Sequence, residues 1–186
     1  MTSRSPSTAL LTDHYELTML EAALRSGAAS RRCVFEVFAR RLPDGRRYGV
    51  VAGTGRLLEL IDRFRFEDAE LEWLRENDIV RAETLDWLAD YRFHGEIWGY
   101  REGEAYFPGS PLLTIQATFV EAVMLETIVL STLNYDSSVA SAAARMVSVA
   151  LGRPIAEMGS RRTSERAAIA AARAAPGRGR SPTPDH

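Results

Sequence analysis

The stretch Thr12-Asp13-His14-Tyr15-Glu16-Leu17-Thr18-Met19 decides the start of the fold, because it predicts the first turn of a helix. Thr12 or Asp13 can cap this helix through a side-chain oxygen, and Glu16 stands where a capping-box partner of Asp13 is expected. The helix is expected to run from about Asp13 to Ser26 and to end at Gly27. Its free N–H groups attract anions, so Tyr15 can stack on a flat anion there.

Tyr15 also has a plainer interpretation. With Met19 and Ala22–Ala23 it recurs at helical spacing, and an aromatic residue on such a stripe belongs to the core about three times as often as it contacts a ligand. The pattern alone therefore favours a core tyrosine, and only further evidence can favour the ligand contact.

Composition narrows the class of protein. The chain has 186 residues, 46% of them hydrophobic, and a net charge of −2, which argues against nucleic acid or an anionic membrane as a partner. All 23 basic residues are arginine, which excludes a lysine Schiff base and a lysine-containing phosphate loop. Arginine side chains are well suited to binding a carboxylate or a phosphate.

Localisation follows from what the sequence contains. Cys33 is the single cysteine, so no intramolecular disulfide forms, and its neighbours Val34 to Phe38 predict a buried strand. The first residues show no apolar signal core, and no window approaches the roughly 18 apolar residues of a membrane span. We therefore predict a cytoplasmic protein. Residues 1–9 and the Gly- and Pro-rich residues 176–186 are predicted to be disordered.

The middle of the chain alternates between the helical period of about 3.6 residues and the strand period of two residues. Cys33–Arg40 and Arg47–Ala52 predict a hairpin around Pro43-Asp44-Gly45, and Gly53-Thr54-Gly55 leads into a helix. That glycine turn is half of a dinucleotide fingerprint, and a tight turn explains it better than phosphate binding does. Five further segments are predicted in order: helices Glu67–Asn77 and Ala82–Tyr91, then antiparallel strands Glu96–Tyr100, Glu104–Phe107 and Leu112–Gln116.

The last third is predicted to be helical, over Val120–Leu133 and Ser137–Leu151. Pro154–Met158 then predicts a buried strand, and Thr163 or Ser164 caps a last helix that ends at Ala175. Strand and helix together would form a β/α unit, and ligands bind where such a strand ends.

Gly159-Ser160-Arg161-Arg162 stands at that position. Arg161 and Arg162 can neutralise a carboxylate or phosphate there, although composition alone favours a surface charge pair by about two to one. A metal site is not predicted, because His14, Cys33 and His94 lack the spacing of metal ligands. Asp136-Ser137-Ser138 has no histidine motif nearby and does not predict a nucleophile.

These blocks together resemble nicotinate phosphoribosyltransferases of the bacterial type, from about Leu10 to Ala175. The resemblance is carried by the opening helix block and by Glu157-Met158-Gly159-Ser160-Arg161-Arg162, with further blocks between them: Phe35-Glu36, Gly53-Thr54-Gly55, Phe107-Pro108-Gly109-Ser110-Pro111-Leu112 and Leu125-Glu126-Thr127. The nicotinamide-using and quinolinate-using relatives remain a weaker alternative.

The resemblance implies a reaction and its site. Nicotinate and phosphoribosyl diphosphate would give nicotinate mononucleotide and diphosphate in NAD biosynthesis, with Mg²⁺ and with ATP hydrolysis through a phosphorylated histidine. In the family, the tyrosine at the Tyr15 position stacks on the pyridine ring across a homodimer interface. The arginine at Arg161, together with Arg162, lies in the ring and phosphoribosyl pocket. No family phosphohistidine is identified, because His14 and His94 do not match its motif and His186 lies in the tail.

The fold class expected from the resemblance is α/β. An α+β N-terminal domain would cover residues 10–151. It would lead into residues 152–175, the first β/α unit of an incomplete type II phosphoribosyltransferase barrel. The match ends at Ala175, which indicates an interrupted or frame-shifted reading or a genuine short gene. We therefore expect the chain alone to lack phosphoribosyl transfer. The alternative is a non-catalytic dimerisation or ligand-contacting module that pairs with a full-length member.

Overall fold

The computed structural model describes residues 6–175, apart from the side chain of Ser160. The α-helices are α1 His14–Ser26, α2 Thr54–Asp62, α3 Asp68–Glu76, α4 Ala82–Ala89, α5 Phe119–Val123, α6 Glu126–Val149 and α7 Glu165–Ala174. The strands are β1 Arg32–Phe38, β2 Gly49–Val50, β3 Glu96–Gly99, β4 Ala105–Tyr106 and β5 Pro111–Thr118, and a 3₁₀ helix covers Gly159–Arg162. The mixture of helices and strands confirms the predicted fold class.

Two compact units divide the chain. The first comprises residues up to 37, 55–99 and 111–132, and the second comprises residues 38–54, 100–110 and 133 onward. Long-range pairing therefore assembles each unit from separated pieces of the sequence.

The first unit is built on a three-stranded sheet in the order β1-β5-β3. β3 and β5 run antiparallel, with Trp98 opposite Thr114. Helix α1 packs against α4 and α5 through a buried face that includes Leu17, Leu20 and Ala23. This packing fixes the first turn of α1, where Tyr15 lies.

Several predictions about the helices are confirmed. α1 is capped by Asp13 and ends at Gly27, whose φ of 73° is a left-handed conformation that favours glycine. The Gly53-Thr54-Gly55 turn leads into α2, and α3 and α4 follow as expected. Ser164 caps α7 by accepting a hydrogen bond from the N–H of Ala167 at 3.4 Å.

The predicted hairpin between Cys33–Arg40 and Arg47–Ala52 is wrong. β1 neighbours β5 in one sheet, whereas β2 is a two-residue strand that pairs with β4 in another, with Gly49 opposite Tyr106. The Pro43-Asp44-Gly45 turn forms, but the strands on either side of it have distant partners. Cys33 lies on β1 as expected and is half-buried rather than buried.

The predicted run of three neighbouring antiparallel strands is also wrong in its pairing. β3 pairs directly with β5, and β4, which lies between them in sequence, belongs to the separate β2-β4 sheet. Strand propensity indicated where strands occur, but the partner of each strand depends on contacts that are remote in sequence.

The predicted pair of helices Val120–Leu133 and Ser137–Leu151 is divided differently: the short α5 ends at Val123, and one long helix, α6, runs from Glu126 to Val149. The two predicted ranges left a gap between Leu133 and Ser137, yet helical geometry continues through it. Ser137 Oγ accepts from the N–H of Ala52 at 3.2 Å and Ser141 Oγ accepts from the N–H of Val50 at 2.8 Å. These hydroxyls satisfy backbone donors in and beside β2, so the polar residues attach α6 to that segment.

The strand predicted over Pro154–Met158 is absent: this segment has no regular structure, and a 3₁₀ helix follows it. A strand needs a neighbour to satisfy its backbone groups, and none of the described strands pairs with this segment. The β/α unit expected over residues 152–175 therefore does not form in this structure, although α7 does.

The N-terminal prediction needs a smaller correction. Thr8 and Ala9 are buried, and Thr8 donates from Oγ1 to the carbonyl of Leu60 at 2.7 Å and from its N–H to that of Arg63 at 3.2 Å. Disorder was therefore predicted too far along the chain. The predictions for residues 1–5 and 176–186 lie outside the described residues. Over residues 6–175, no helix has the length and apolar content needed to cross a membrane.

Candidate functional site

A buried carboxylate organises the start of α1. Glu16 is fully buried, and its Oε1 accepts from the N–H of Thr127 at 2.8 Å and from Thr127 Oγ1 at 2.7 Å. Its Oε2 accepts from the N–H of Asp13 at 3.1 Å and from the hydroxyl of Thr12. Because a buried charge is costly unless its oxygens are hydrogen-bonded, these four donors account for a carboxylate in this position.

Glu16 joins two helix N-termini. It lies in the first turn of α1, and Thr127 lies in the first turn of α6. N–H groups in a first turn lack helical partners and carry partial positive charge, which favours a carboxylate between the two ends. The four residues Thr12, Asp13, Glu16 and Thr127 are called the Glu16 cluster below.

Tyr15 lies beside this cluster with its ring exposed. The side chain is 44% exposed, and its hydroxyl lies 3.5 Å from Glu16 Oε1. Desolvation, together with a hydrogen bond to Glu126 and the negative charges of Glu126 and Glu16, raises the pKa of Tyr15 to about 12. The phenol is therefore neutral at neutral pH and presents an uncharged aromatic face.

The core interpretation of Tyr15 is wrong. Tyr15 and Met19 are both exposed, and the buried face of α1 contains Glu16, Leu17 and Leu20 instead. Leu10 and Leu11 are each 45% exposed in the segment that precedes the helix. The sequence pattern misassigned the face because it did not predict a buried glutamate on the inner side.

Arg161 and Arg162 lie in the second unit, whereas Tyr15 lies in the first. Both arginines are exposed in the 3₁₀ helix Gly159–Arg162, before α7. α7 is tied to α6 by the hydroxyl of Tyr135, which donates to the carbonyl of Ala167 at 3.1 Å. The arginines thus follow a segment without regular structure instead of a barrel strand.

The glycine turn has a structural explanation. Gly53 has a φ of 93°, and a Cβ added there would lie 2.6 Å from Asp136 Oδ2. Glycine is therefore required both by the backbone conformation and by the close approach of α6. This agrees with the tight-turn interpretation of Gly53-Thr54-Gly55.

His94 and Glu121 form a second polar pair, which supports α5. Glu121 Oε1 accepts from the N–H of His94 and lies 3.1 Å from its Nδ1, and Oε2 accepts from the N–H of Thr118. Burial alone would raise the pKa of Glu121, but the hydrogen bonds from Thr118 and His94 outweigh it and lower the pKa. The pair holds the start of α5 and shares no residue with the Glu16 cluster.

Within the part of the chain that the structure describes, no three His, Cys, Asp or Glu side chains come together as a metal site. The Mg²⁺ that the resemblance implies stays a prediction.

The sequence pattern predicted a site role for Tyr15, which stays a prediction, and it missed the role of Glu16 beyond capping. Two signals were available: Glu16 stands at the capping-box position, and Leu125-Glu126-Thr127 is one of the blocks that carry the resemblance. Their contact joins residues 111 positions apart, which sequence spacing does not reveal.

Comparison with known proteins gives a consistent result. Residues 10–134 match the model of the nicotinate phosphoribosyltransferase N-terminal domain. A nicotinate phosphoribosyltransferase of Mycobacterium tuberculosis is 63% identical over 166 residues, which cover 89% of this chain and 37% of the relative. One from Bacillus subtilis is 34% identical over 173 residues, covering 92% of this chain and 35% of the relative. The chain thus spans little more than a third of the length of these relatives.

Solved structures show the same likeness. The crystal structure of human nicotinic acid phosphoribosyltransferase superposes with a TM-score of 0.70 at 30% identity, over 77% of this chain and 29% of the human chain. A nicotinate-nucleotide pyrophosphorylase from Pyrococcus furiosus, at 20% identity and a TM-score of 0.69 over 94% of this chain and 39% of the other, shares the fold.

Proposed function

The chain belongs to the nicotinate phosphoribosyltransferase family, and on that premise we propose that it supplies part of a nicotinate-binding site for phosphoribosyl transfer. The observation that carries the proposal is the exposed, neutral ring of Tyr15 beside the buried Glu16 cluster. Nicotinate is a flat aromatic anion, so an exposed ring at a helix N-terminus suits both its ring and its charge.

In the proposed reaction, the C1–O bond of phosphoribosyl diphosphate breaks, and diphosphate leaves with the electron pair. The pyridine nitrogen of nicotinate donates its lone pair to C1 and forms the new C1–N bond. Tyr15 would stack on the pyridine ring and orient its nitrogen, and Glu16 would hold the first turn of α1 in place for that contact.

Arg161 and Arg162 are proposed to bind the anionic groups of the substrates. Their guanidinium groups can pair with a carboxylate or phosphate through two parallel hydrogen bonds. Loss of one such contact should cost about 3 kcal/mol of transition-state binding, or roughly two orders of magnitude in rate. Both side chains are exposed and so accessible to a ligand.

Several finer predictions complete this proposal. A homodimer would bring Tyr15 of one protomer to the site of its partner, and the exposed Leu10, Leu11 and Met19, which are close to Tyr15 in sequence, offer apolar side chains for that contact. Nicotinate and phosphoribosyl diphosphate as substrates, ATP and Mg²⁺ as cofactors, a cytoplasmic location and the lack of transfer by this chain alone all stay predictions.

The same apolar surface favours the second candidate function, a non-catalytic module that pairs with a complete family member. The two candidates differ in ligand binding: a site component binds nicotinate through Tyr15, whereas a pure dimerisation module needs only the apolar contact. Size-exclusion chromatography with light scattering can measure the association separately.

Calorimetric titration of nicotinate into the purified chain tests the proposed function. Tyr15→Ala should weaken binding by about 1–3 kcal/mol, a typical range for aromatic stacking, whereas Tyr15→Phe keeps the ring and should bind within about twofold. Equal affinities for the unmodified chain and Tyr15→Ala would contradict the proposal, as would the absence of saturable binding at millimolar nicotinate.

A further inference from the structure

We propose that the first unit carries a binding cleft for an alkyl carboxylate, whose apolar tail lies on the wall of the cleft and whose carboxylate pairs with Arg65 and Arg92. The proposal goes beyond the function proposed above, because none of the residues given a role there lines this cleft. It depends neither on nicotinate binding nor on phosphoribosyl transfer.

The cleft lies between the C-terminal end of α2 and the segment that leads from α4 into β3, and its volume is about 400 Å³. That volume falls within the range of sites for small organic ligands. Such a site favours a ligand with an apolar part over a compact inorganic anion, because its wall is largely apolar. The apolar side chains that line it are Leu58, Ile61, Phe64, Phe93 and Ile97.

A pair of buried rings brings two arginines to this cleft. The ring centroids of Phe64 and Tyr91 lie 5.7 Å apart at an interplanar angle of 69°, an edge-to-face contact. Arg65 directly follows the first ring and Arg92 directly follows the second, and both arginines line the cleft. Packing in the core therefore fixes the backbone from which each guanidinium group projects.

Hydrogen bonds hold the same backbone. The N–H of Arg65 donates to the carbonyl of Arg63 at 2.9 Å, and the carbonyl of Arg65 accepts from the hydroxyl of Ser7 at 2.5 Å. A site on such a held segment loses little conformational entropy when a ligand binds.

Both guanidinium groups keep donors for a ligand. Arg92 donates through Nη1 to the carbonyl of Tyr91, and a guanidinium has five N–H donors in all. Arg65 lies 3.6 Å from Asp62, but the two side chains are 39% and 80% exposed, and an exposed ion pair contributes little to stability. A carboxylate ligand can therefore compete with Asp62 and can also pair with Arg92.

The charge of the lining agrees with an anionic head group. Two arginines and one aspartate give the cleft a formal charge of +1, although the whole chain carries −2. A single net positive charge beside an apolar wall suits a monocarboxylate with an apolar tail. Leu58 is 48% exposed, whereas Ile61 is 8% exposed, so a tail that covers Leu58 removes further apolar surface from water.

Gly95 allows the ring of Phe93 to form one side of the cleft. A Cβ added at Gly95 would lie 2.7 Å from Cζ of Phe93 and 2.5 Å from the carbonyl oxygen of Gln116. Because a side chain at this position would displace the ring or the neighbouring strand, the glycine fixes the shape of the wall.

Isothermal titration of octanoate into the full chain tests this inference, with octanol and hexanoate as comparison compounds. Octanoate should bind at least about tenfold more tightly than octanol, which has no charge to pair with an arginine. It should also bind about tenfold more tightly than hexanoate, because its longer tail buries more methylene groups. The absence of saturable octanoate binding at millimolar concentration would overturn the inference, as would equal affinity for octanoate and either comparison compound.

A pair of double variants locates the carboxylate. Arg65→Gln with Arg92→Gln should bind octanoate at least about tenfold more weakly, because charged hydrogen bonds are lost. The matched control, Arg75→Gln with Arg81→Gln, removes two charges from exposed side chains of the same unit that do not line the cleft. It should bind within about twofold of the unmodified chain. Urea unfolding verifies that both variants fold, and equal octanoate affinity of the two would contradict the assignment of the head group.

A second pair of variants locates the tail. Leu58→Asn should weaken octanoate binding about fivefold, because the tail loses apolar contact. The control Leu130→Asn changes a leucine of similar exposure, 43% against 48%, that does not line the cleft, and it should bind as the unmodified chain does. Equal losses in the two variants would place the tail elsewhere and overturn the inference.

Tyr15→Ala separates this inference from the proposed function. The variant should keep its octanoate affinity within about twofold, since Tyr15 does not line the cleft. Loss of octanoate binding in Tyr15→Ala would overturn the inference. Octanoate binding without nicotinate binding would overturn only the proposed function, and the reverse result would overturn only this inference.

Discussion

The two segments that carry most of the family resemblance differ in how the structure holds them. The Glu16 cluster fixes the first turn of α1 through four hydrogen bonds to one buried carboxylate, and Tyr15 is exposed beside it. The segment before Arg161 and Arg162 has no regular structure, and its apolar Leu151 and Met158 are 87% and 77% exposed. The difference teaches that the first turn of α1 is preorganised within this chain, whereas Arg161 and Arg162 lie on an exposed segment.

The largest effect is expected from breaking the Glu16 cluster. Glu16→Ala leaves the donors of Asp13 and Thr127 that a fully buried carboxylate now satisfies without that acceptor, and it should lower the free energy of unfolding by about 3 kcal/mol. Urea unfolding measures the change. Glu59→Ala, at an exposed position of α2, is the control and should stay within about 0.5 kcal/mol. Equal losses in the two variants would contradict the role given to Glu16.

The Gly53→Ala variant tests whether close packing also occurs in the second unit. The added Cβ meets Asp136 and the φ of 93° disfavours alanine, so we expect a loss of about 2–3 kcal/mol in urea unfolding. Gly103→Ala, at a φ of 88° with no atom within 4 Å of the new Cβ, should lose only about 1 kcal/mol. Similar losses would mean that the backbone conformation alone requires Gly53.

A third, smaller effect concerns the ionisation of Tyr15. Its raised pKa means that the folded chain favours the neutral phenol, so the associated stability is fully present below pH 10 and is lost as the pH rises towards 12. The difference between the ultraviolet titrations of the unmodified chain and Tyr15→Phe isolates this phenol. Half-ionisation close to pH 12 is expected, and a midpoint near pH 10 would contradict the described surroundings of the hydroxyl.

The smallest effect on stability is expected at the exposed arginines. Arg161→Ala and Arg162→Ala should each change the free energy of unfolding by less than about 0.5 kcal/mol, because neither side chain is buried. Nicotinate affinity, measured on the same samples, should fall about tenfold if either guanidinium binds the carboxylate. A large stability loss would show that this segment is as tightly packed as the Glu16 cluster.

Local features were predictable from the sequence. The cap at Asp13, the stop at Gly27, the turn at Gly53 and the cap at Ser164 each depend on residues within a few positions of one another. Such features follow from the conformational preferences of single residues and from first-turn hydrogen bonds.

Long-range pairing was not predictable in the same way. The hairpin around Pro43 failed because β1 and β2 pair with strands about 55 to 85 residues further along the chain, and a turn sequence does not specify those partners. Ser137 within α6 has its hydrogen-bond partner at Ala52, 85 residues earlier, and the burial of Glu16 depends on Thr127. Tyr15 could be proposed as a site residue, but its exposure could not be predicted.

The most direct test of the central claim, that Tyr15 offers its ring to nicotinate, is a proton NMR titration of nicotinate with the chain. Stacking on an aromatic ring shifts the pyridine protons upfield, so the unmodified chain and Tyr15→Phe should both produce that shift, and Tyr15→Ala should abolish it. An equal upfield shift with Tyr15→Ala would contradict the account.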